Sequence, residues 1–168
     1  MNVYLTGFMG AGKTTVGRRL ARLLKRRFLD LDAEVERAAG RSIAAIFGRG
    51  EAAFRRLESA ALRRAARRRG LVVALGGGAL VDPASRKLAA DTGLIVALTC
   101  AEAKLRQRLR RDRGLRPLLV RDPRQGLRRL LARRRGLYRR ADLQVSTTRR
   151  PPGPAATLIA RKLHGRWL

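Results

Sequence analysis

The chain has 168 residues, 45% of them hydrophobic, which suits one domain with its own core and hardly two. Aromatics are only 4%, so that core must be built from Leu, Val and Ala. The surplus of 40 Lys+Arg over 12 Asp+Glu, a net charge of +28, draws polyanions or phosphorylated small molecules without choosing among them.

Strand and helix alternate along the chain. Asn2–Thr6 is an apolar run of strand length, followed at once by Gly7, Gly10 and Gly12. Val16, Leu20, Leu23 and Leu24 recur at helical spacing and predict a helix over Lys13–Lys25. Phe28–Leu31 is a second short strand, with acids at Asp30 and Asp32. Helices follow over Ala33–Ala39 and Glu51–Arg69. Leu71–Leu75 is continuously apolar, as in a strand buried on both faces, and runs into Gly76, Gly77 and Gly78. Pro83–Ala90 reads as helix, Leu94–Leu98 as strand and Ala101–Arg111 as helix. Asp112–Arg124 holds two prolines, a glycine and many charges, and reads as a mobile loop. Gly126–Leu137 is helical, Leu143–Thr147 a short strand and Ala155–Leu163 a last helix. The pattern predicts one α/β domain over residues 1–168, with three layers and a parallel sheet.

Gly7-Phe8-Met9-Gly10-Ala11-Gly12-Lys13-Thr14 fits G-x-x-x-x-G-K-[ST] between a predicted strand and a predicted helix, the context of a P-loop. Its glycines let backbone N–H groups converge on phosphate oxygens, and the helix adds its positive end. Lys13 should reach the β- and γ-phosphates of a nucleoside triphosphate, and the Thr14 hydroxyl should ligate Mg²⁺.

The strand Leu71–Leu75 ends in glycines, with no acid to hold the metal. Acid follows the second strand instead. Alternate residues of an extended chain share a face, so Asp30 and Asp32 can point together toward the strand ends. One can serve Mg²⁺ through a water and the other can take a hydroxyl proton, since a carboxylate is the natural base where histidine is scarce. Capping of the next helix is the ordinary alternative for either. Gly76–Gly78 would either let backbone approach a small ligand or make a tight turn.

Single copies of Cys100 and His164 exclude a disulfide framework, a multi-cysteine metal site and His-pair zinc chemistry. No apolar run approaches the roughly 18 residues of a membrane span, and no targeting segment is evident, so a cytoplasmic protein is expected. Most residues of the arginine clusters, such as Arg67–Arg69 and Arg133–Arg135, belong on solvated helix faces, and no nucleic-acid recognition motif accompanies them.

Together these blocks resemble the shikimate kinase family from Asn2 to about Leu163. The resemblance rests on GFMGAGKTT, LDLD, RSIAAIF with GEAAFRRLE, LGGGA, RPLL, RRGLYRRAD and RRPPG, in that order. It implies a P-loop kinase fold with a five-stranded parallel sheet, a helical substrate-binding segment over about 33–64 and a mobile lid over about 112–124. It implies transfer of the γ-phosphoryl group of Mg-ATP to the 3-hydroxyl of shikimate. Gly10, Ala11, Gly12, Lys13, Thr14 and Thr15 would hold the nucleotide phosphates, and Lys13 would also be catalytic. Asp30 would help Thr14 position Mg²⁺, and Asp32 would hold the shikimate hydroxyl as candidate base. Arg55 and Arg134 would bind the shikimate carboxylate from two sides, a match of fork to carboxylate. Arg56 and Arg135 are adjacent decoys for them. Gly76, Gly77 and Gly78 would line the shikimate site. Arg116 of RPLL would reach the phosphates from the lid. Arg108, with Arg110 and Arg111 as competitors, would stack on adenine, and Arg150 and Pro152 would lie beside it.

Two rivals are kept. A gluconate or nucleoside monophosphate kinase would share the P-loop, and the acidic pair with the GE..FR..E block argues against both. A nucleotide-gated nucleic-acid-binding protein would suit the charge but lacks a recognition motif. A monomer without membrane or specific nucleic-acid partner is expected, although high charge permits nonspecific binding at low salt.

Overall fold

A computed structural model describes residues 1–111 and 123–167; the side chains of 123–125 and 166–167 are left aside. Five strands, β1 (Asn2–Gly7), β2 (Arg27–Asp30), β3 (Leu71–Ala74), β4 (Gly93–Thr99) and β5 (Leu143–Ser146), form one parallel sheet in the order β2-β3-β1-β4-β5. Eight helices accompany them among the described residues: α1 (Lys13–Leu23), α2 (Leu31–Ala39), α3 (Ile43–Phe47), α4 (Glu51–Ala66), α5 (Pro83–Thr92), α6 (Glu102–Arg111), α7 (Pro123–Arg139) and α8 (Pro152–Trp167). The register is continuous, with Val3 beside Val72 and Leu94, and Phe28 beside Val72.

The pleat explains the three layers. Val3 and Leu5 of β1 join a core with Val16, Leu20, Leu105 and Ile159 from α1, α6 and α8. Tyr4, from the same strand, joins a separate core with Leu31, Val35, Leu62 and Ala89 from α2, α4 and α5. Both faces of the sheet are thus covered, as parallel sheets require. The chain enters β1 at the middle of the sheet, with β3 on one side and β4 on the other. Ligands of open α/β sheets bind at such a point, beyond the carboxyl ends of the strands.

Several boundaries differ from the sequence reading. The α3 helix, a single turn, had no predicted counterpart; five residues are too few to show a period, and the Ser42 hydroxyl caps it by accepting from Ala45 N at 3.2 Å. Pro123 and Arg124, expected in the loop, begin α7, where proline fits a first turn. The rest of that expected lid, 112–122, lies outside the described residues. Among the described residues no helix is long and apolar enough to cross a membrane.

Candidate active site

The loop after β1 is shaped by glycines in the left-handed region: Gly10 has φ 78° and Gly12 has φ 95°. Side chains rarely adopt such values, so glycine is required at both. No side chain caps the N-terminus of α1, and its first amides border a cleft of ≈ 830 Å³ that runs across the ends of β1, β2 and β3. The free amides of an uncapped helix start, with the helix's positive end, are of the kind that suits an anion. Lys13 bends back over the loop, donating from Nζ to the carbonyls of Gly7 at 2.9 Å and Phe8 at 3.1 Å.

The acidic pair is arranged differently from the expected single extended face. Asp30 ends β2, but Asp32 is the second residue of α2. The reason is the cap: Asp30 Oδ1 accepts from the amides of Asp32 at 3.2 Å and Ala33 at 3.5 Å, and so starts the helix at Leu31. Capping and site chemistry are not exclusive here. The other oxygen of Asp30 accepts from the Thr14 hydroxyl at 2.8 Å. Both acids still line the cleft.

The glycines at 76–78 keep ordinary backbone, since none has φ in the left-handed region. Their requirement is space. A Cβ at Gly76 would collide with Glu58 Oε1 and stand 2.9 Å from Asp32 Oδ1. At Gly77 it would meet Arg134 Nη1 at 3.0 Å. At Gly78 it would meet Arg55 Nη2 at 2.7 Å. The glycine turn is therefore the floor on which four charged side chains converge.

Burial separates the arginines from their decoys. Arg55 lines the cleft, whereas Arg56 faces solvent; Arg134 is 5% exposed, whereas Arg133 and Arg135 are exposed. Arg134 sits 5.7 Å from the centroid of the Phe8 ring. Arg55 donates through Nε at 3.2 Å and Nη2 at 2.8 Å to Glu51, and through Nη1 at 2.7 Å to Glu58.

Glu58 was not singled out from sequence, although it closes the GE..FR..E block. It is 3% exposed, and its Oε1 has no hydrogen-bond partner among the described residues. Burial pushes the Glu58 carboxyl above its usual range; Arg55 pulls it down, and the neighbouring Asp32 carboxylate pushes it up again. An acid one turn after Arg55 on the same helix face was the available signal.

Of the residues expected at the nucleotide, Ala11, Thr15, Arg108, Arg150 and Pro152 line the same cleft, and Arg110 and Arg111 do not. Arg150 Nη1 donates to the Ser146 carbonyl at 3.0 Å. Arg116 lies outside the described residues.

No cluster of three or more His, Cys, Asp or Glu exists among the described residues to hold a metal alone. A divalent cation here would need Thr14 and Asp30 together with phosphate oxygens and water, the usual way Mg²⁺ binds.

Comparisons with known proteins point one way. The family model described as shikimate kinase matches residues 9–164. The chain is 44% identical over 163 residues to a shikimate kinase of Thermus thermophilus, covering 96% of this chain and 89% of that protein. It is 44% identical over 160 residues to the shikimate kinase of Bordetella pertussis, covering 94% and 74%. Its fold matches the structure titled shikimate kinase from Acinetobacter baumannii in complex with shikimate, with a TM-score of 0.94, 42% identity and coverage of 99% and 94%. A gluconokinase from Sinorhizobium meliloti matches at a TM-score of 0.62 and 18% identity, which is a likeness of fold alone.

Proposed function

The chain belongs to the shikimate kinase family, and we propose that its cleft transfers the γ-phosphoryl group of Mg-ATP to the 3-hydroxyl of shikimate. The observation that carries this reading is the convergence of Arg55, Arg134, Asp32 and Glu58 on the glycine turn, next to an uncapped helix that begins with Lys13 and Thr14. Two guanidiniums beside two carboxylates suit an acceptor with one carboxylate and several hydroxyls.

Each side chain has a task in that reading. Arg55 and Arg134 bind the acceptor's carboxylate. Asp32 holds the reacting hydroxyl and takes its proton as the oxygen attacks phosphorus. The amides of Gly10 to Thr15 hold the triphosphate, and Lys13 swings from the Gly7 and Phe8 carbonyls to the β- and γ-phosphates. Thr14 and Asp30 would hold Mg²⁺, which supplies charge neutralisation at the β- and γ-phosphates when bound. Arg108, Arg150 and Pro152 flank adenine, and Arg116 contributes positive charge as the phosphoryl group moves. Catalysis is then positioning plus charge stabilisation. The reading includes a monomeric, cytoplasmic enzyme without a specific nucleic-acid partner.

The test is ADP release with Mg-ATP by protein freed of nucleic acid in high salt. Shikimate is compared with gluconate, with nucleoside monophosphates and with no acceptor. Release that depends on shikimate alone is the expected result. Release with another acceptor and not with shikimate would discard the pocket assignment.

A further inference from the structure

Thr147 follows the last strand and has no part in the chemistry assigned so far. It is 2% exposed. Its amide extends the β4–β5 ladder by donating to the Thr99 carbonyl at 2.8 Å. Its hydroxyl has one proton and two carbonyls in reach, Ala11 at 2.9 Å and Thr99 at 3.3 Å, and donates to the nearer, Ala11; it accepts from Arg108 Nη1 at 3.3 Å. The same Arg108 nitrogen donates to the Gly10 carbonyl at 3.0 Å, and Arg108 Nη2 donates to the Thr147 carbonyl at 2.8 Å.

Two successive carbonyls of the nucleotide loop are thus held by one threonine and one arginine, and these two also hold each other. The consequence comes from the peptide plane. In a trans peptide the N–H points opposite to the C=O. With the Ala11 carbonyl tied to Thr147, the N–H of Gly12 is turned away from Thr147. A flip of this peptide turns ψ of Ala11 and φ of Gly12, and Gly12, already in the left-handed region at φ 95°, offers little steric resistance to it. A peptide with glycine on one side keeps its direction less firmly than one between two residues with side chains, so an outside anchor matters here. The anchor is firm, because Thr147 is fixed to the sheet by its own amide.

We propose that Thr147 is the positioning residue of the nucleotide loop: it locks the Ala11–Gly12 peptide so that the Gly12 amide is presented to nucleotide phosphate, and it holds Arg108 in the same network. This rests on reading the glycine loop as the nucleotide site, and is independent of which acceptor is phosphorylated.

Valine at 147 fills nearly the same volume without the hydroxyl, whereas serine keeps it. The measurement is calorimetric titration of ADP into wild type, Thr147→Val and Thr147→Ser, with steady-state KM values and melting temperatures alongside. Valine should weaken ADP binding about tenfold and raise the KM for ATP comparably, while the KM for shikimate moves less than about twofold. Serine should return both nucleotide values to within about twofold of wild type. Equal ADP affinity in wild type and the valine variant overturns the proposal and leaves the nucleotide-loop reading intact. A parallel rise of both KM values with a lower melting temperature, not rescued by serine, also overturns it, because that marks general packing. Should the valine variant not fold, Thr147→Ala replaces it with the same expected loss. If neither folds, Thr147 is a folding determinant and the assignment fails. Absence of ADP binding by wild type would instead overturn the nucleotide-loop reading itself.

Discussion

Gly78→Ala separates the demands of folding from those of the site. The new methyl would stand 2.7 Å from Arg55 Nη2, 2.8 Å from Nη1 and 3.0 Å from Cζ. Ordinary contacts between heavy atoms begin near about 3.5 Å, so the guanidinium must retreat by roughly half an ångström or more. Folding should tolerate this. Gly78 has ordinary backbone, the displaced group is the end of a flexible side chain, and alanine lowers the entropy of the unfolded chain by about 0.4–1 kcal/mol. Binding should not tolerate it. Arg55 is held at 2.7 Å by Glu58 and at 2.8 Å by Glu51, and a shift of that size misaligns the fork that receives the acceptor's carboxylate. A hydrogen bond to a charged group contributes about 1.5–3 kcal/mol, so its loss raises the KM for shikimate by roughly 10- to 150-fold. The assay is steady-state kinetics in both substrates together with thermal melting. The KM for ATP should stay within about twofold and the melting temperature within a few degrees. An unchanged KM for shikimate, or a rise in both KM values with a collapse in melting temperature, would refute the reasoning. Gly7→Ala is the contrast: its Cβ would strike the backbone carbonyl of Leu98, and φ is +145°, so that variant should fail to fold.

Asp32→Asn should lower kcat by about 10²-fold or more with ADP affinity unchanged, and a near-normal kcat would remove Asp32 from the role of base. Glu58 makes a pH prediction. Its folded carboxyl titrates above the ordinary 4.5, so the folded protein takes up this proton at higher pH than the unfolded chain. The stability contribution is therefore complete below 4.5 and is lost as pH rises through the raised value. Melting curves of wild type and Glu58→Gln should diverge on acidification, with wild type gaining relative to the variant; a constant difference across pH would contradict the shift.

What was legible in the sequence was local. The nucleotide loop announces itself because glycines, Lys13 and Thr14 sit within one turn of chain between a strand and a helix. The continuous apolar runs of β3 and β4 are sufficient to mark strands covered on both faces. The acidic pair was legible as residues but not as geometry, because the Asp30 cap converts the expected strand end into a helix start before Asp32 is reached. The glycine turn signalled a need for space without saying what fills it. The occupants, Arg55, Glu58 and Arg134, come from α4 and α7, and only tertiary packing places them there. Arg134 stood among neighbours of identical chemistry and was picked out only by the family pattern around it; its burial now separates it from them physically. The Thr147 network has no sequence signature at all, since it joins the ends of β1, β5 and α6.

The most direct test of the carboxylate site compares shikimate with its methyl ester as acceptor in the ADP-release assay. The ester keeps every hydroxyl, loses the charge that Arg55 and Arg134 are assigned to bind and adds one methyl on that oxygen. For the ester, kcat/KM should fall by at least about 10²-fold, through KM, with the KM for ATP unchanged. Equal use of acid and ester would contradict the two-arginine carboxylate site on which the functional reading stands.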